Sequence, residues 1–146
     1  MKTSILLLTL VIVAGAQAVH AQACDVTTLN GPYAYSASGF FTNGAFGAGR
    51  HIFSAAGRLT FDAQGHVSVK DTESVDGNVS RALTFSGAYT IGSDCTGTFS
   101  FFSPAAGSIA YDFTIAGTGN QLTFVAATNS MNVTGSATKQ VVASVE

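Results

Sequence analysis

The stretch Gly57–Phe102, GRLTFDAQGHVSVKDTESVDGNVSRALTFSGAYTIGSDCTGTFSFF, decides the fold. It reads as four antiparallel strands joined by tight turns. Asp62-Ala63-Gln64-Gly65 suits a type I turn with Gly65 left-handed, closing a three-residue hairpin loop with a bulge. Asp62 then faces His66, Phe61 faces Val67 and Leu59 faces Val69, while Thr60 and Ser68 fall on the other face. The next turn, Asp76-Gly77-Asn78, admits two readings. A two-residue Asp-Gly turn sets Val69 against Thr84 and Lys70 against Leu83, which mixes the faces. A three-residue loop with Asn78 left-handed sets Val69 against Phe85 and Glu73 against Arg81. A one-residue slip turns every side chain over, so the face-consistent register is preferred and the three-residue loop is expected.

The same alternation extends outward in both directions. Gly31-Pro32 opens a strand in which Tyr33, Tyr35 and Ala37 alternate with Ala34, Ser36 and Ser38. Gly39–Gly57, GFFTNGAFGAGRHIFSAAG, has no clean period of two and reads as an irregular, bulged strand pair or an apolar flap carrying Phe40, Phe41, Phe46 and Phe53. Downstream, Phe99 and Phe101 share a face. Ile109, Tyr111, Phe113 and Ile115 alternate strictly with Ala110, Asp112 and Thr114, the strongest strand signal in the chain. Gln121–Thr128 and a weak Asn132–Gln140 follow. The expected fold is all-β, an up-and-down antiparallel barrel of about eight strands, with a two-sheet sandwich as the alternative. Closure is favoured because the outer faces carry too few charges to protect open edges. Its premise is that the odd-numbered apolar residues from Leu59 to Phe113 point to one interior.

Only 10% of the residues are charged and the formal net charge is -2, which removes the electrostatic footprint of a nucleic-acid binder. Lys2, the apolar run Ile5–Val13 and Ala21-Gln22-Ala23 read as a secretory signal over residues 1–23, leaving one domain, 24–146. The residues before Cys24 lack the pattern of a lipoprotein signal, and no second apolar run is long enough to span a membrane. The expected location is secreted or periplasmic. In an oxidising compartment the two cysteines, Cys24 and Cys95, have one intramolecular pairing and serve as a structural staple.

The phrases GRLTFDAQG (57–65) and YTIGSDCTGT (89–98), with Cys24-Asp25 and the TLNGxY opening at 28–33, carry a resemblance. Together they resemble a group of small exported bacterial proteins of unknown function. More loosely, the strand pattern is similar to calycin-like and allene-oxide-cyclase-like barrels. The resemblance implies a barrel but no particular activity, and the absence of tryptophan departs from the lipocalin and biotin-binding patterns.

Few residues point to chemistry. After export His51 and His66 remain, too far apart to suggest a metal site, and no nucleophile-elbow or phosphate-loop motif is present. No cofactor is expected. In the register chosen above, Asp71, Glu73 and Arg81 continue the inward face, with Glu73 across from Arg81. Such charges form either a solvated rim bridge, a handle for a ligand's polar head or, least simply, a carboxylate pair. With Tyr33, Tyr35, Tyr111, Phe40, Phe41 and Phe46 they make up the candidate ligand-binding set. The leading functional expectation is a secreted, non-catalytic barrel that binds a small apolar or amphipathic ligand. The alternatives are a self-associating envelope or matrix protein, and a cavity-type isomerase or cyclase.

Overall fold

The computed structural model describes residues 23–42, 47–103 and 107–141. Eight antiparallel strands follow in chain order: β1 (Asn30–Thr42), β2 (Arg50–Asp62), β3 (His66–Val75), β4 (Asn78–Ile91), β5 (Thr96–Ser103), β6 (Gly107–Ala116), β7 (Gln121–Ala126) and β8 (Met131–Lys139). Each pairs with the next, and β8 returns to β1 from Tyr33↔Lys139 to Phe41↔Met131, so the sheet closes into an up-and-down barrel. That last pairing excludes the sandwich. The weakly patterned Thr/Ser/Ala segment therefore completes the wall, and Val133 and Ala137 supply its buried face.

Alternation carries the core. Leu59, Phe61, Val67, Val69, Tyr89, Phe99, Tyr111 and Phe113 are all buried inside the barrel, as the odd-numbered pattern predicts. The first turn keeps the expected pairing, Phe61↔Val67 and Leu59↔Val69, and His66 Nδ1 lies 2.7 Å from Asp62 Oδ2. Its backbone differs from the expected type I form, because Ala63 (φ 62°) is left-handed as well as Gly65 (φ 102°).

The second turn corrects the expectation. Val75 pairs with Asn78, so Asp76 (φ 50°) and Gly77 (φ 85°) form the two-residue turn with both central residues left-handed. The register then shifts between Asp71 and Thr72: Thr72 pairs with Arg81, Asp71 with Leu83, and Ala82 (φ 56°) is the extra residue. A bulge thus reconciles the favoured Asp-Gly turn with the inward face, restoring Val69↔Phe85 beyond it. Tight turn and face pattern are both satisfied.

The stretch read as irregular is mostly regular. β1 and β2 pair without a break from Asn30↔Asp62 to Thr42↔Arg50, with Phe41 and Phe53 buried and Phe40 and Ile52 outside. Phe46 lies outside the described residues, as do residues 1–22 of the expected signal.

One end of the barrel is plugged. A 3-10 turn at Val26–Thr28, capped by the Asp25 side chain, crosses that end and is pinned to the β4–β5 turn by the Cys24–Cys95 disulfide (Cα–Cα 5.0 Å) and to β4 by Tyr89. The Tyr89 hydroxyl donates to the Val26 carbonyl at 2.8 Å and lies 3.2 Å from that of Leu29. Leu29 and Tyr33 are fully buried in the plug, and the Tyr33 hydroxyl donates to the Gly119 carbonyl. Phe61 sits between two rings edge-on, Tyr33 at 5.3 Å and Tyr89 at 5.0 Å. This end is a filled core.

Candidate functional site

The opposite end has a different interior. Tyr35, Glu73, Leu83, Phe85, Phe101, Ile109 and Met131 point inward yet retain partial solvent exposure. An inward side chain of a closed sheet reaches solvent through an end or through a gap between strands, so the upper half is open to it. Part of this opening comes from unequal walls. Among the described residues β4 pairs with β5 only over Gly87–Ile91, which leaves Asn78–Ser86 paired with β3 alone.

Within this half lies a polar cluster built by register. Tyr35, Gly57, Asp71 and Leu83 occupy one row across β1 to β4. Because Gly57 has no side chain, the Tyr35 hydroxyl reaches over β2 and donates to Asp71 Oδ2. A Cβ on Gly57 would meet the Asp71 Cβ at 2.5 Å, so the glycine is a condition of the contact. One row nearer the mouth, Glu73 stands between Ala55 and Ser80. Tyr111 faces the pair from β6, between Phe99 and Ala126 in register.

The surroundings are aromatic. Phe124 lies 5.5 Å from the Tyr111 ring, edge-on, and 6.3 Å from Tyr35; Phe99 lies 5.1 Å from Tyr111 and 5.4 Å from Phe101. In this setting the carboxyl groups resist ionisation. Burial raises Asp71, against the lowering effect of its hydrogen bond from Tyr35. Burial, and then repulsion from Asp71, pushes Glu73 up to about 7. Tyr35 and Tyr111 are held protonated, first by burial; the acids then act on both, with the hydrogen bond to Asp71 the stronger of these effects at Tyr35. Asp71 is 5% exposed, and its Oδ1 is buried with no hydrogen-bond partner among the described residues.

Of the residues singled out in the sequence, the structure brings Tyr35, Asp71, Glu73 and Tyr111 together. Phe41 lies further toward the mouth, 6.0 Å from Phe53 and 5.8 Å from His51. His51 is itself held by Asp76, 2.7 Å from Nδ1 to Oδ2. Three candidates are elsewhere. The bulge at Ala82 turns Arg81 to the exposed outer face, and Glu73 faces Ser80 in its place. Phe40 is also outside, where the Arg50 guanidinium stacks 3.8 Å over its ring. Tyr33 belongs to the plug. Gly57 was missed, although a glycine within a strand pattern signals close approach across the sheet. Phe85 and Phe101 were legible as inward residues but not as lining.

Among the described residues no three His, Cys, Asp or Glu side chains gather as a metal site requires, and no helix is long and apolar enough to cross a membrane. Compared with protein families, curated proteins and solved structures, the chain finds no match in any of the three.

Proposed function

We propose that this protein is an exported, non-catalytic barrel that binds a small amphipathic molecule in its upper interior. One observation carries the reading: inward-facing residues of the upper half remain accessible while the lower half is sealed by Leu29, Tyr33 and Tyr89. Binding sites of this kind pair an apolar, aromatic lining with a few polar groups that fix orientation. Here Tyr35, Asp71, Glu73 and Tyr111 are those groups. The disulfide suits an oxidising, extracytoplasmic setting. Export through a cleaved leader over residues 1–23 belongs to the same proposal, as does kinship with the small exported bacterial proteins that the chain resembles.

A panel of fluorescent amphiphiles with neutral, anionic and cationic heads tests the reading. Saturable binding of one class, competed by a non-fluorescent analogue and lost on filling the upper interior with Ala55→Phe, supports it. A panel that shows no binding at all rejects it.

A self-associating structural role draws on exposed apolar side chains outside the barrel, Phe102 (68% exposed) and Ile52 (56%). Light scattering separates the two readings, because a strict monomer at high concentration contradicts self-association. The isomerase or cyclase reading keeps Glu73, Tyr35 and Tyr111 inside the upper half but not Arg81, which faces solvent, or Tyr33, which belongs to the plug.

A further inference from the structure

We propose that the molecule bound in the upper interior carries a protonated amine as its head group, held by Asp71 and Glu73. This rests on the ligand-binding reading above and goes further by naming the head. The first observation is Asp71 itself. Its Oδ2 accepts from Tyr35, but its Oδ1 is buried without a partner among the described residues, a costly condition for a carboxyl oxygen. The second is that Glu73 points from the same face of β3, one row nearer the mouth, with only the small side chains of Ala55 and Ser80 beside it in register. Two acids thus stand on one wall, Asp71 buried and Glu73 partly exposed toward the mouth.

The third observation concerns charge. Among the described residues the barrel offers these acids no lysine or arginine. Arg58, Lys70 and Arg81 are exposed on the outer face, and Arg50 lies over Phe40. Lys139 belongs to the plugged end, with Nζ 6.0 Å from the Tyr33 ring. His51, the inward residue nearest the mouth on β2, is engaged with Asp76. Buried acids are stabilised by a cation with N–H donors. Since none of the described lysines and arginines stands beside these acids, the ligand is the remaining source.

An ammonium supplies up to three donors, enough for Asp71 Oδ1 and the Glu73 carboxylate together. Tyr35, Tyr111, Phe85 and Phe101, inward in register, then supply aromatic surroundings for the cation and for an apolar or aromatic body. An anionic head, such as a fatty-acid carboxylate, would meet two like charges. An alcohol can donate to Asp71 Oδ1 but leaves the charge unmatched.

Three naphthalene probes with closely matched bodies decide the matter: 2-(1-naphthyl)ethylamine, 2-(1-naphthyl)ethanol and 1-naphthylacetic acid. They are titrated into the intact disulfide-bonded protein at about pH 8, where the amine is still protonated. The amine is expected to bind about tenfold tighter than the alcohol or better, the worth of a charge-assisted hydrogen bond, and the acid weakest. Glu73→Gln and Asp71→Asn should each cut amine affinity by about tenfold while leaving the alcohol within about threefold. Melting curves establish that each variant is folded, and Glu73→Gln decides alone if Asp71→Asn is not.

Equal affinity for amine and alcohol, or an amine preference that survives Glu73→Gln, overturns the inference and leaves the binding reading standing. Failure of all three probes overturns both.

Discussion

Gly57 is where a single missing side chain organises the interior. Tyr35 and Asp71 are two strands apart, and only a strand position without a Cβ lets one reach the other. Gly57→Ala is expected to destabilise the barrel by about 1–3 kcal/mol, the usual cost of overpacking, because Asp71 and the Lys70 carbonyl both stand in the way. Urea denaturation measures it. Glu73 gives a second prediction at this scale, one of pH. Its carboxyl titrates at about 7 in the fold against an ordinary 4.5. The folded state therefore holds a proton that the unfolded chain releases across that window, so folding weakens as pH rises through it. Glu73's contribution is fully present below the ordinary value and lost above about 7. The melting temperature of the wild type, taken relative to Glu73→Gln, should fall across that range and then level off. A difference that is flat or rises with pH would contradict the buried placement of Glu73.

At the scale of elements, the β3–β4 hairpin shows how two local rules combine. Asp76-Gly77 is among the strongest two-residue turn signals, yet by itself it would set Val69 against Thr84. The extra residue at Ala82 absorbs the difference, and its left-handed backbone (φ 56°) is one that glycine tolerates better than alanine. Ala82→Gly should therefore stabilise the protein, by about 0.5–1 kcal/mol. Ala82→Val should destabilise it, since a branched Cβ is most strained there. Paired urea curves check both signs. The bulge also sends Arg81 outward, so the expected Glu73–Arg81 bridge is replaced by Glu73 beside Ser80. A bulge leaves little trace in a pattern of polar and apolar residues. The turn chemistry showed one register and the face pattern another, and their disagreement was itself the sign that a residue had to be skipped.

On the scale of the whole molecule, the disulfide joins the plug to the β4–β5 turn across a sequence separation of 71. Replacing both cysteines by alanine should cost about 4 kcal/mol on the chain-entropy account of so long a loop. A calorimetric or urea measurement showing under about 1 kcal/mol would mean that the plug is held by Leu29, Tyr33 and Tyr89 alone. The two ends then serve opposite purposes: one is filled and stapled, the other left partly open above a pair of acids.

Residue order alone determined the all-β class, the meander, the inward set from Leu59 to Phe113 and the Cys24–Cys95 pairing. These follow from a period of two and from there being two cysteines. Only the tertiary structure decided that the weak β8 segment closes the wall, that Arg81 lies outside, and that Tyr35 meets Asp71 over Gly57. Those outcomes depend on which strands become neighbours and where one residue is skipped, and both are set by the closed sheet as a whole.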